Sequence, residues 1–183
     1  MGNYIQIILS VVIGSLIILM LMRLTFDIGE ESNETNVEQM VQSNLLTLTS
    51  TIENDFRRIG YKSPVDPILN ADSSSLTFLS DIKLSGKVDT IKYVLGSLGS
   101  AAHTPNPNDR VLYRIVGAES SKVASSGLTK FKLRYFDVNG SETMTPIFIK
   151  SINIELRLES DAKVKDYYPF FEKSVLIKPR NLN

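Results

Sequence analysis

Ile5 to Met22 reads IQIILSVVIGSLIILMLM, and no residue from Met1 to Met22 carries a charged side chain. As a helix, these 22 residues would be ~33 Å long at roughly 1.5 Å per residue, matching a hydrocarbon core of about 30 Å. A buried core helix normally keeps a polar stripe; here only Gln6, Ser10, Gly14 and Ser15 interrupt the run. A cleaved secretory signal needs a basic start and a small-residue exit. Met1 to Tyr4 has no Lys or Arg, and Arg23-Leu24-Thr25-Phe26 offers no such exit. The stretch is therefore expected to be an uncleaved transmembrane anchor over residues 1–26. Ser10 and Gly14 are four apart and share a helix face, the spacing at which small residues let a second helix approach in a membrane.

Outward from the anchor the composition changes. The chain has 183 residues and no net charge; without the anchor, roughly 157 residues remain, enough for one domain with a core. Arg23 to Gly60 carries 3 basic and 7 acidic residues, and Tyr61 to Asn183 carries 17 basic and 13 acidic. Neither part is basic enough for nucleic acid. The opposite signs are compatible with docking of the helical part on the rest or on a neighbouring copy, and equally with a plain solvated surface. There is no cysteine and one histidine, His103. That rules out disulfides, thiolate metal sites and a cysteine nucleophile. His103 sits in Ala101-Ala102-His103-Thr104-Pro105-Asn106-Pro107-Asn108, a loop composition in which a lone imidazole is a solvated side chain. No Walker loop, G-x-G-x-x-G or G-x-S-x-G is present. Neither a catalytic site, a cofactor, a metal nor a small-molecule substrate is expected, so a structural role is.

Asp27 to Asn36 (DIGEESNETN) reads as either a short linker or a weakened stretch of one long helix. Val37 to Ile59 is the clearest helix beyond the anchor. Val37, Val41, Leu45, Leu48, Ile52, Phe56 and Ile59 recur at steps of three and four, the stripe of an amphipathic helix. Arg57 and Arg58 fall in the last turn and Gly60 follows as a stop. Linker and helix span 27–60.

From residue 61 to 183 the period becomes two. Pro64 and Pro67 begin a loop; strands are expected over Leu76–Leu79, Lys87–Leu95, Val111–Val116, Leu128–Asp137, Ile147–Leu158 and Tyr168–Lys178. Gly96–Asp109 and Gly117–Ser126 read as loops. Phe131, Leu133 and Tyr135 oppose Lys130, Lys132 and Arg134; Asn139-Gly140 is a hairpin turn; and Glu155 and Arg157 on the returning strand can pair across it. The expected fold class is α+β: a transmembrane helix, then an amphipathic helix packed on an antiparallel β-sheet and forming one globular domain with it.

Several segments carry a resemblance. Ile52-Glu53-Asn54-Asp55-Phe56-Arg57-Arg58-Ile59-Gly60-Tyr61, Val111-Leu112-Tyr113-Arg114, Phe131-Lys132-Leu133-Arg134-Tyr135-Phe136-Asp137 with Asn139-Gly140, and the closing Pro179-Arg180-Asn181 look like segments of minor pilins. With the apolar start, the layout resembles the type IV pilin-like superfamily, within it the minor pilins and the minor pseudopilins of type II secretion. The resemblance implies a pilin-like fold and a single-pass inner-membrane protein with the domain on the periplasmic or outer side. It also implies other pilin-like subunits as partners, and filament assembly or priming as the task. Processing would fall between Gly2 and Asn3. One position departs from the pattern: where the family has a glutamate, fifth in the mature chain, this sequence has Ile7. That departure suits a subunit that starts or caps a filament, or a relative that stays in the membrane. The alternative reading is a single-pass membrane protein whose outer domain is an envelope scaffold or a sensor module.

Overall fold

The computed structural model describes residues 2–182, Ser125 by its backbone alone. Met1 and Asn183 lie outside them. The chain forms two compact units, Met1–Gln39 and Met40–Asn183. One helix, α1, is continuous over Gly2–Arg57. Asp27 to Asn36 is therefore helical, the second of the two alternatives for that stretch. Gly29 costs the helix about 1 kcal/mol relative to alanine, too little to break it.

In the second unit, α1 buries Val41, Leu45, Leu48, Ile52 and Phe56, the predicted stripe. The remaining two stripe residues differ. Val37 is half-buried and belongs to the first unit. Ile59 is fully buried but lies past the end of the helix, which stops at Arg57 and not at Ile59. The amide N–H groups of Arg58 and Ile59 donate to the carbonyls of Asp55 and Phe56, which tightens the last turn. Gly60 then takes a positive φ of 79°, the left-handed conformation that glycine reaches at least cost. The freed carbonyls find partners: Ser80 Oγ donates to Arg58 O at 2.7 Å and Asn181 Nδ2 to Ile59 O at 3.3 Å.

The rest of this unit is a seven-stranded antiparallel sheet in sequential order. Its strands are β1 Ile68–Ala71, β2 Ser75–Ser80, β3 Asp89–Leu95, β4 Arg110–Val116, β5 Glu119–Phe136, β6 Ser151–Glu159 and β7 Phe170–Ile177. Phe56 of α1 meets Phe78 of β2 and Tyr93 of β3 edge-to-face, at 5.8 and 5.3 Å between centroids. This seats the helix on the inner face, where Leu76, Ile91, Leu133, Ile154 and Leu156 are also buried.

Three readings of the sequence are corrected here. Gly117–Ser126 is not a loop: beyond the Gly117-Ala118 turn it is the first half of β5, paired with β4 from Val116↔Glu119 onward. Ladder hydrogen bonds hold that polar ribbon without an apolar face to announce it. Ile147 does not start a strand. Pro146–Phe148 is a short 3-10 turn, η1, and β6 begins at Ser151, opposite Phe136. The Asn139-Gly140 turn does form, capped by Asp137, but the connection runs on through residue 150. Finally, β1 follows Pro67 directly where only a loop was expected; four residues are too few to show a period.

β5 belongs to two sheet halves. It pairs with β4 up to Leu128 and with β6 from Leu128 on. Gly127 stands at the change-over with φ +74°, and a Cβ there would lie 2.9 Å from Glu159 O. Gly127→Ala is therefore expected to cost about 2 kcal/mol or more, since the left-handed conformation alone costs an L-residue about 1–2. Urea unfolding of the full chain in detergent measures it. The second half of β5 also meets the β1–β2 turn. Leu133 N–H donates to Ser73 O at 2.8 Å, and the Tyr135 hydroxyl reaches Asp72 O at 2.7 Å. Of the two charges expected to pair across the β5–β6 hairpin, Glu155 does so, with Lys130 and Arg134 at 3.1 and 3.4 Å; Arg157 instead pairs with Glu159 on its own strand and Glu172 on β7.

Candidate functional site

Two features have chemistry to contribute, one in each unit. In the first unit it is the uncharged stretch of α1. None of its most apolar window is buried, and by length and composition it can cross a membrane. From Tyr4 to Ile28 every Leu, Ile, Val, Met, Phe and Tyr side chain is about half exposed or more. Monomeric soluble proteins rarely expose contiguous apolar patches beyond a few hundred Å², so this surface calls for lipid or other helices around it. The few polar side chains already suit such surroundings. Ser10 Oγ donates to Gln6 O, Ser15 Oγ to Val12 O and Thr25 Oγ1 to Leu21 O, at 2.8, 2.8 and 2.9 Å. Each hydroxyl hydrogen is thus satisfied within the helix, as an apolar medium requires. Ser10 and Gly14 lie on one face, and a Cβ added at Gly14 would meet nothing within 4 Å. Gly2 and Asn3, the residues of the expected processing point, lie in the first turn of the helix.

In the second unit the feature is a polar cluster under the helix. Asp55 lies among the apolar stripe residues and is itself buried. Its Oδ2 accepts two hydrogen bonds at 2.6 Å, from the Tyr93 hydroxyl on β3 and from Arg114 Nε on β4. One carboxylate oxygen therefore ties α1 to two adjacent strands. Burial, followed by the adjacent Asp55 charge, pushes the Tyr93 hydroxyl far above its ordinary range, so it stays a donor. Burial opposes the Arg114 charge, but Asp55 outweighs it and raises the guanidinium. Asp55 and Arg114 stand 59 positions apart in separate segments of the sequence, and no spacing marks them as partners. The available signal was an aspartate one residue before a stripe phenylalanine, in a helix whose other acids lie on the wet side.

A second carboxylate ties the end of the helix to the sheet. Asp81 is fully buried and accepts from Lys62 Nζ at 3.0 Å and from the amides of Ser85 and Gly86 at 2.9 and 2.8 Å. Burial alone would raise its carboxyl, but Lys62 and the two amides prevail and hold it below its ordinary 3.8. A carboxyl depressed in the fold adds stability above its unfolded pKa and loses it as pH falls through the folded value. The chain is therefore expected to lose stability as pH drops below 3.8, and Asp81→Asn to flatten that loss. Urea midpoints at neutral pH and in acid, for both chains, measure it.

His103 is exposed in its loop. Among the described residues no three His, Asp or Glu side chains gather as cation donors. No protein-family model matches the chain, and neither a curated protein nor a solved structure is significantly similar to it.

Proposed function

We propose that the chain is a structural subunit of the minor pilin or pseudopilin kind, held in the inner membrane by residues 1–26, with its sheet unit on the periplasmic or outer side. Its task is to assemble or prime a filament of the type IV pilus or type II secretion class. The observation that carries the reading is α1: one unbroken helix whose first part is uncharged and exposed and whose last part is the core helix of an antiparallel sheet. Such a helix offers an apolar surface to lipid before assembly and to like helices after it, with association driven by close packing at small residues. The Ser10–Gly14 face is the place for the first such contact. The absent family glutamate, with Ile7 in its place, fits a subunit that begins or caps the filament.

Photo-crosslinking in cells from positions 10 and 14 tests this. Adducts with the N-terminal helices of other pilin-like proteins are expected. Adducts only with envelope proteins lacking such helices would overturn the reading in favour of a scaffold or sensor domain. Intact mass of the native protein adds a separate measure, because a chain starting at Asn3 is the product of prepilin-type cleavage.

A further inference from the structure

The β5–β6 connection, residues 137–150, exposes several large apolar side chains of the second unit. Val138, Met144, Ile147 and Phe148 are each more than half exposed. The segment is nonetheless well held. Asp137 Oδ1 accepts from the Asn139 and Ser141 amides at 2.8 and 2.9 Å, and Thr143 N–H donates to Tyr135 O at 2.9 Å. Ile149 is buried as an anchor, and Lys150 N–H donates to Phe136 O at 2.8 Å. Apolar side chains are thus presented outward on a fixed scaffold, which lowers the ordering cost of binding.

Beside this connection runs an open groove of about 830 Å³, between the turn that follows β5 and the end of β7. Phe136, Val138, Leu176 and Leu182 supply its apolar lining, and Lys150 and Lys178 supply its charge. Neither ammonium has an ion-pair partner among the described residues. The carboxylate in the lining, Asp137, is engaged by its own turn. Elsewhere on the outer face Lys130 and Arg134 pair with Glu155, and Arg157 with Glu159 and Glu172, while Lys92 and Lys132 are exposed without an ion pair among the described residues. What sets the groove apart is that two unpaired ammonium groups, Lys150 and Lys178, share one lining with the apolar Phe136, Val138, Leu176 and Leu182.

We propose that this groove docks an acidic peptide segment of a partner protein, one that carries a large apolar side chain next to its carboxylates. The apolar side chain would fill the space lined by Phe136, Val138, Leu176 and Leu182. The carboxylates would meet Lys150 and Lys178, which steer the approach and select against basic segments. The proposal stands on the second unit alone and does not depend on the pilin-like reading.

Fluorescence anisotropy of the full chain in detergent micelles tests it. The probe is a fluorescein-labelled short peptide alternating glutamate with phenylalanine and leucine, beside a twin with lysine for every glutamate. The acidic peptide is expected to bind at least about tenfold tighter than its twin, and to lose about tenfold on Lys150→Glu with Lys178→Glu. Both lysines are at least partly exposed and unpaired, so the thermal midpoint of the double variant should be unchanged. Val138→Asp, at the tip of a turn, should weaken binding without touching either lysine. Equal binding of the two peptides, or binding indifferent to all three substitutions, would overturn the proposal. So would either of two further results that depend on these lysines. One is displacement of the peptide by decanoate at a lower concentration than the peptide itself requires, which assigns the groove to a small apolar anion. The other is self-association of the chain without peptide binding, which assigns it to a second copy.

Discussion

Asp55→Ala is expected to destabilise the sheet unit by about 3–5 kcal/mol, the usual cost of removing one partner from a buried ion pair. The carboxylate is buried beneath α1 and its Oδ2 receives both Tyr93 and Arg114. Alanine leaves a mostly buried guanidinium without its counter-charge and a buried hydroxyl without its acceptor. In a chain of this size each kcal/mol shifts the thermal midpoint by roughly 2–4 °C, so a fall of about 6–20 °C is expected for the full chain in detergent. Tyr93→Phe removes only one neutral donor to a charge and is expected to cost about 1.5–3 kcal/mol. Arg114→Met combined with Asp55→Leu should regain much of the loss, because an apolar pair of similar volume needs no desolvation. Equal stability of Asp55→Ala and the unaltered chain would show that the cluster does not hold the helix.

The second large effect concerns the first unit. Leu16→Arg together with Leu19→Arg is expected to release the chain from membranes. Leucine at the centre of a spanning helix contributes about −0.5 kcal/mol and arginine about +2.5 to +3.5, so the pair shifts insertion by roughly 6–8 kcal/mol. Both leucines are more than half exposed and touch none of the core, so the sheet unit should fold as before. Resistance to alkaline carbonate extraction measures the release. Thr47→Arg, on the exposed side of α1 in the second unit, should leave the chain in the membrane fraction.

The sequence carried these elements unequally. The stripe from Val41 to Phe56 was legible because a helix on a sheet must bury one face, and burial prints a three-and-four spacing. β2, β3, β4 and the second half of β5 were legible for the matching reason with period two. The first half of β5 was not, because Glu119 to Ser126 has few apolar residues and is placed by main-chain pairing with β4. The excursion before β6 was misread because Ile147, Phe148 and Ile149 form an apolar run, whereas only Ile149 is buried. Asp55, Tyr93 and Arg114 were all visible, but residues 38 and 59 positions apart become partners only once the strands have a register. The stretch long and apolar enough to cross a membrane was plain because that property depends on composition and length alone.

The absence of cysteine makes the most direct test of that stretch available. A single cysteine at Ile13 carries a spin label in the full chain reconstituted into lipid vesicles, and a second chain carries one at Leu46. Accessibility to molecular oxygen is compared with accessibility to a water-soluble nickel chelate. At position 13 the label is predicted to meet oxygen and be shielded from the chelate, and at position 46 the chelate should reach it freely. A label at position 13 that the chelate reaches as readily as at position 46 would contradict a helix seated in lipid.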